Sequence, residues 1–293
     1  YITLAILILI LLSFLNQEIL TKFSFILFLV TFLSLLLVPF IGIEVKGSKR
    51  WLDLFFLPRF QPVEIIKPFF IVTLSLMLTI QSRRLYFKYF LSTLFLLPIL
   101  MLLVYQPDIG QTLLITMIWL ALIFVSGINI FIFFVFFLLA GSIVSYLVIF
   151  VPKFEYIKIR LLAFLDSNSG NNYQAEKASD AIINGGFFGK GIGEGTLNSR
   201  VPEAHTDYIV SVISEEFGAI IVIGILFLYL IFSYKVIQKI NLLNEDTYKL
   251  ILIGCISLIL LQTFIHVGVN IRILPTTGMT LPFLSYGGSS IVS

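Results

Sequence analysis

Cysteine and histidine are nearly absent from this 293-residue sequence, and charge is scarce. The one cysteine, Cys255, lies in an apolar run without a partner, which excludes a disulfide framework and a cysteine-based metal site. The two histidines, His205 and His266, do not make a histidine-based metal site. Charged residues are 12% of the chain, with a net charge of +3, and no nucleic-acid partner is expected. Neither a Walker phosphate loop nor a dinucleotide fingerprint is present, and no internal repeat or low-complexity segment interrupts the chain. No organic cofactor is expected.

What is present is apolar. Hydrophobic residues make up 59% of the sequence, and the mean hydropathy of +1.05 lies far outside the range of soluble domains. The fold class is all-α, a polytopic membrane protein. Apolar runs near the roughly 20 residues needed to span hydrocarbon fall at about 1–15, 23–41, 63–80, 89–104, 111–126, 128–150, 208–233 and 249–270, and a truncated one starts near 284. Alternation of direction then puts the connections at 42–62, 105–110, 151–207 and 271–283 on one side of the membrane. A raw count of Lys and Arg would place that side in the cytoplasm, whereas their density per loop residue leans the other way. The chain begins at Tyr1 and ends as an apolar run begins, so it is expected to be a fragment of one transmembrane domain, 1–293, lacking both ends and without a visible signal peptide.

The stretch from Arg200 to Gly218 carries charge straight toward an apolar run. Arg200, Glu203, His205 and Asp207 precede it, and Asp207, Ser211, Ser214, Glu215 and Gly218 share one helical face. An ionised carboxylate in hydrocarbon costs roughly 2.5–3.5 kcal/mol, so this stripe must face protein or a watery cavity and is a candidate functional site. The bland role for Asp207, together with Thr206, is to cap the helix.

Other polar motifs sit in the same set of connections. The first holds Lys49, Arg50, Trp51, Arg59, Gln61, Glu64 and Lys67. Its cations suit a lipid phosphate, Arg as a bidentate fork and Lys as a point charge, while Trp suits headgroup depth or a sugar face. Glu64 and Lys67, spaced i, i+3, are equally suited to pairing with each other. Asp108, after Pro107 and before a new span, is placed to cap it. The large 151–207 loop contains a glycine series from Gly185 to Gly195 with Phe187 and Phe188, which fits a membrane-facing turn better than a nucleotide loop. His266 is expected to be a packing residue with a hydrogen bond. The last connection, rich in Pro, Gly and hydroxyls and including Ser285, puts irregular backbone at membrane depth, where it needs protein or a cavity beside it.

Taken together, Gly47-Ser-Lys-Arg-Trp51, Arg59-Phe-Gln-Pro-Val-Glu64, Gln106-Pro-Asp-Ile-Gly110, Pro202-Glu-Ala-His-Thr-Asp207, Glu215-Glu-Phe-Gly218 and the run from Leu274 to Ser290 resemble the SEDS family of bacterial cell-wall proteins. The resemblance covers nearly the whole chain in order, and its wording is more similar to the division branch than to the elongation branch. It implies a bundle of about ten transmembrane helices, of which about eight and a truncated one fall in this fragment, in the bacterial cytoplasmic membrane with 151–207 as a large extracytoplasmic loop. The implied activity is peptidoglycan glycosyltransfer, polymerising lipid II. The family's key loop aspartate falls on Asp207, and its arginine–tryptophan pair on Arg50 and Trp51. Arg59, Gln61, Lys67, Asp108, Glu203, His205, Thr206 and Ser285 complete the expected substrate-binding set. Asp207 is expected to act as the base, or to bind a divalent cation, Mg or Mn, that screens the pyrophosphate. Implied partners are a class B penicillin-binding transpeptidase of the FtsI type and other divisome proteins at the septum. A lipid II flippase, a membrane scaffold and an elongation-type polymerase stand as alternatives.

Overall fold

The computed structural model describes residues 2–45, 48–54, 57–80, 86–152, 173–197 and 200–293, together with 155, 158, 159, 162 and 164. Lys46, Gly47, Arg83, Arg84, Lys153, Arg160 and the polar stretch 166–172, all prominent in the sequence, lie outside them. The chain is mostly helical and forms two compact units. One comprises Tyr1–Phe134, Lys239–Leu258 and Gly287–Ser293, the other Val135–Gln238 and Ile259–Tyr286.

In the first unit, α1 (Ile2–Ser13), α2 (Gln17–Ile41), α3 (Pro62–Leu78), α4 (Phe87–Tyr105) and α5 (Ile109–Val125) follow the apolar runs. Pro62 at the first turn of α3 has no N–H to lose there and presets φ, and Glu64 complements the positive end of the helix dipole. Leu35, Ile66, Phe70, Ile71, Leu74, Ile99 and Leu103 are fully buried between these helices. Phe28 and Phe70 both pack on Phe95, at centroid distances of 4.7 and 5.6 Å.

The connection expected as a loop at 42–62 instead folds into an antiparallel meander, β1 (Ile43–Val45), β2 (Ser48–Leu54) and β3 (Leu57–Phe60), in the order β1-β2-β3. Register pairs Ile43 with Trp51 and Leu52 with Phe60. Trp51 is thus set in a strand, half-buried, rather than on a free loop.

The second unit takes most of α6 (Ile130–Phe150), then α7 (Tyr173–Gly185), α8 (Ile209–Phe217), most of α9 (Ala219–Ile240) and the end of α10 (Asp246–Asn270). Helix α6 buries none of its described residues, as befits a helix bathed in lipid. α7, inside the large loop, turns the small face Ala175, Ala178, Ala181 and Gly185 inward. The expected span at 208–233 is not one helix. Gly218 at φ +87° ends α8 after nine residues, and the membrane-length helix α9 starts afresh at Ala219. A short helix, α11 (Gly288–Val292), begins four residues later than the truncated final run. Among the described residues α2, α4, α6, α9 and α10 are long and apolar enough to cross a membrane, and α1 and α5 are shorter apolar helices.

Candidate functional site

Polar side chains gather in two places, one in each unit. The first is built around the start of α3 and α5. Lys67, only 1% exposed, donates to Glu64 Oε2 at 2.6 Å. Gln111 donates from Nε2 to Glu64 Oε1 at 2.6 Å, so both oxygens of this buried carboxylate have donors. Asp108 is the N-cap of α5, with Oδ1 accepting from the Gln111 N–H at 3.4 Å. Its Oδ2 faces Gln61 Nε2 at 3.4 Å and Arg50 Nε at 3.7 Å. Arg50 also donates to the carbonyls of Gln106 and Pro107, tying β2 to the α4–α5 turn. Burial holds the Asp108 carboxyl above its usual range, although the Arg50 guanidinium pulls it down. The structure therefore brings Arg50, Gln61 and Asp108 together and seals Lys67 beneath them in the pair with Glu64. Arg59 lies apart, its side chain 57% exposed and 3.4 Å from Asp53.

The second cluster surrounds Asp207. The turn before α8 closes on the Glu203 carbonyl, which accepts from the N–H groups of Thr206, Asp207 and Tyr208 at 3.1, 3.1 and 3.3 Å. Glu203 takes a positive φ of 57° to do this, and its carboxylate accepts from the Thr206 hydroxyl at 3.1 Å. The N-cap of α8 is Tyr208, one residue beyond the aspartate expected to cap it.

Three backbone clamps then fix this turn. Ser285 donates its hydroxyl to the Thr206 carbonyl at 2.6 Å while accepting from the Leu281 N–H at 2.7 Å. The Tyr286 N–H donates to the His205 carbonyl at 2.9 Å. Asn270, fully buried at the end of α10, donates to the Asp207 carbonyl at 3.1 Å and accepts from the Ser211 N–H at 3.2 Å. Ser285 is buried, so its role here is to hold backbone, whereas His205 and Glu203 are exposed and Asp207 and Thr206 half-buried.

Beside the Asp207 carboxylate runs the backbone of the last connection. Gly278 has φ +70°, and a Cβ there would stand 3.4 Å from Asp207 Oδ2. His266 holds the next residue: its Nδ1 meets the Met279 carbonyl at 2.7 Å, and since a carbonyl only accepts, the ring carries its proton on Nδ1. Gln262 donates to the Thr280 carbonyl at 2.9 Å. Gln262, His266 and Asn270 thus form one i, i+4, i+8 stripe on α10 that sequence reading did not assemble. The spacing was visible, but a polar residue every fourth position inside an apolar run carries no chemistry until the opposing carbonyls are known.

The polar face of α8 is likewise occupied. The buried Glu215 carboxylate takes Asn184 Nδ2 at 2.8 Å and the N–H groups of Thr196 and Leu197 at 3.0 and 2.9 Å, all on Oε1. Of the expected stripe, Ser211, Ser214 and Glu215 lie on α8 and are buried against protein, whereas Asp207, half-buried in the preceding turn, and Gly218, at the C-cap, fall outside the helix. Among the described residues no group of three or more His, Cys, Asp or Glu side chains is arranged to hold a metal ion.

Known proteins share this architecture. The chain matches the model of the FtsW/RodA/SpoVE family, described as cell cycle protein, over residues 1–293. It is 34% identical to the "Probable peptidoglycan glycosyltransferase FtsW" of Caulobacter vibrioides, covering 96% of this chain and 71% of that protein. With the protein of the same description from Coxiella burnetii it shares 38% identity over 91% of this chain and 74% of the other. Its fold is similar to a solved chain described under "Structural coordination of polymerization and crosslinking by a peptidoglycan synthase complex", with a TM-score of 0.82, 28% identity and coverage of 99% of this chain and 82% of that one. It is similar also to the rod shape determining protein RodA of Thermus thermophilus, with a TM-score of 0.69, 27% identity and coverage of 99% and 80%. This chain, a multi-pass helical membrane protein, belongs to the FtsW/RodA/SpoVE family.

Proposed function

We propose that this protein is a peptidoglycan glycosyltransferase that polymerises lipid II into septal glycan strands, with Asp207 as its catalytic carboxylate. The supporting observation is the way Asp207 is held. Its main chain is clamped from Asn270, and its neighbours from Ser285 and Tyr286, while its carboxylate is half-buried beside a glycine that offers backbone and no side chain. A half-buried carboxylate whose main chain is fixed is suited to proton abstraction, which depends on exact placement.

In the reaction the 4-hydroxyl oxygen of one lipid II sugar attacks the anomeric carbon of the growing glycan. The bond from that carbon to undecaprenyl pyrophosphate breaks, the pyrophosphate leaves with the electron pair, and Asp207 takes the hydroxyl proton. Arg50 and Arg59, in the first unit, are the cations proposed to bind lipid phosphate, Arg59 being the more exposed. In the alternative role, a divalent cation at Asp207 would supply charge screening at the pyrophosphate in place of proton abstraction by that carboxylate. Such an ion is commonly bound by one or two carboxylates, with substrate phosphate and water completing its shell, so a single Asp207 fits it without a protein cage.

The division role is supported by the names of the relatives, both described as FtsW. A transpeptidase partner is supported by the likeness to a chain of a peptidoglycan synthase complex in which polymerization and crosslinking are coordinated. The decisive experiment is lipid II polymerisation by the full-length protein with its transpeptidase, comparing native protein and Asp207→Asn and resolving glycan length. A ladder present only with Asp207 is the expected outcome. No ladder from an active, partner-bound native complex would redirect the assignment to lipid II transport or scaffolding.

A further inference from the structure

The glycine-rich stretch at 185–195 has no part in the chemistry above, yet it is built into the second unit with unusual closeness. A Cβ at Gly185 would lie 2.0 Å from the Ser214 carbonyl oxygen, one at Gly189 would lie 2.2 Å from that of Glu216, and one at Gly218 would lie 2.1 Å from that of Phe187. Only glycine permits backbone to pass backbone at that distance. Hydrogen bonds fasten the same contact. The N–H groups of Lys190 and Gly191 donate to the Glu215 and Glu216 carbonyls, both at 2.9 Å, and Glu215 Oε1 accepts from the N–H groups of Thr196 and Leu197 further along the loop. The glycines therefore make this a stapled loop and not a flexible one.

The loop also covers the start of α9. Ala219 and Ile220, the first residues of that helix, donate to the Gly186 and Phe187 carbonyls at 2.9 and 3.3 Å, which satisfies N–H groups that every helix start leaves without an intrahelical partner. The tip of the loop is thereby held level with the first turn of a membrane-length helix. What the tip presents is apolar and outward: Phe187 is 71% exposed, Phe188 85% and Ile192 78%. The first turns of α9 are apolar and outward as well, with Ile220, Ile221 and Ile223 exposed. Lys190 and Glu194 flank them with opposite charges, so apolar contact and not charge must provide the attraction.

We propose that Phe187, Phe188 and Ile192 form a wedge seated in the phospholipid bilayer, at the headgroup–acyl boundary of the leaflet where α9 begins. A large apolar tip fixed by backbone hydrogen bonds at the mouth of a membrane-length span matches the composition of interfacial anchors. The staple passes through Glu215 and Glu216 near the C-terminal end of α8, a nine-residue helix that rises about 13 Å. At its other end stands Tyr208, next to Asp207. The wedge thus sets the depth of Asp207 against the membrane surface from which a lipid-linked sugar is presented, a consequence that rests on the glycosyltransfer proposed above.

The test is independent of activity. Full-length protein with Cys255→Ala is given a single spin label at Phe188→Cys and reconstituted into nanodiscs of phosphatidylethanolamine and phosphatidylglycerol. Ile223→Cys on α9 serves as the lipid reference and Asp180→Cys on the exposed side of α7 as the aqueous reference. Power saturation compares collision with oxygen, which concentrates in lipid, and with a water-soluble nickel chelate. The proposal expects Phe188→Cys to follow Ile223→Cys, with oxygen accessibility several-fold above nickel. A label that follows Asp180→Cys would overturn it by putting the tip in water, and one shielded from both colliders would overturn it in favour of a protein partner. An inactive protein with a lipid-seated label would count against the enzymatic assignment and leave the wedge standing.

Discussion

The two polar clusters hold their carboxylates by different parts of the chain. Around α3 and α5, Glu64 is buried with a donor on each oxygen, one of them the Lys67 ammonium, and Asp108 is buried against Arg50, Gln61 and the Gln111 N–H. Around α8, Asp207 is held by its main chain and its carboxylate is half-buried beside bare backbone. The Glu64–Lys67 charges are matched in the interior, and removing one is expected to be felt as instability. Asp207 is half-buried with its main chain clamped, and under the proposed function its removal is expected to be felt as lost chemistry. Perturbed or buried groups are thus not by themselves the catalytic ones.

The largest expected effect separates the two at once. Asp207→Asn keeps the shape and the Asn270 clamp, and polymerisation should fall about 10²–10⁴-fold with unchanged thermal unfolding. Lys67→Met should do the reverse, leaving Glu64 buried without its counter-charge and costing about 3–5 kcal/mol, while adding Glu64→Gln should restore much of that stability. Unfolding in detergent, followed for the single and double variants, reads the difference; equal losses would mean the pair is not a coupled unit. Asn270→Ala strips a buried partner from the Asp207 carbonyl and the Ser211 N–H. Because a misplacement of about 1 Å can cost 10² in rate, kcat should drop roughly ten- to a hundredfold with little change in KM.

A pH series sharpens the comparison from the other side. Burial raises the Asp108 carboxyl above its ordinary value of 3.8, so the folded state binds this proton more tightly than the unfolded one. Its contribution is therefore complete below that ordinary value and is lost as pH rises through the raised one. Asp108→Asn should flatten this part of the stability–pH curve, and a parallel curve would show that the residue does not titrate there. The smallest structural effect belongs to Arg59→Ala. Its exposed pair with Asp53 is of the kind that contributes about 0–1 kcal/mol, so stability should hold while lipid II use weakens at limiting substrate. Unchanged turnover under those conditions would remove Arg59 from the site.

Much of this was legible in the sequence. Hydropathy located the apolar runs because each helix had to bury or bathe some 17–25 residues of side chain in hydrocarbon. The charge of the Arg200–Gly218 stretch marked the site because charge in such a setting must be accommodated by protein or water. Hydropathy is blind to dihedral angles, however, and so joined α8 to α9 across Gly218, whose φ of +87° turns the chain. The meander at 43–60 escaped because its strands are short and their alternation is broken by bulges between Ile43 and Glu44 and between Leu52 and Leu54. α7 was hidden in a polar loop, its only signal the small-residue stripe Ala175, Ala178, Ala181. Ser285 was singled out for substrate, yet it holds backbone, a distinction only the carbonyl of Thr206 reveals.

Gly278 has a bearing on inhibitor resistance. Any side chain at this position would adopt a left-handed backbone at φ +70° and push a Cβ toward Asp207 Oδ2. A compound that makes its key hydrogen bonds to the peptide groups of Gly278 would be recognised by atoms that every substitution except proline retains, and proline cannot adopt this φ. Escape by mutation at that contact would disturb the aspartate itself, so the cell could evade the drug there only by damaging its own enzyme.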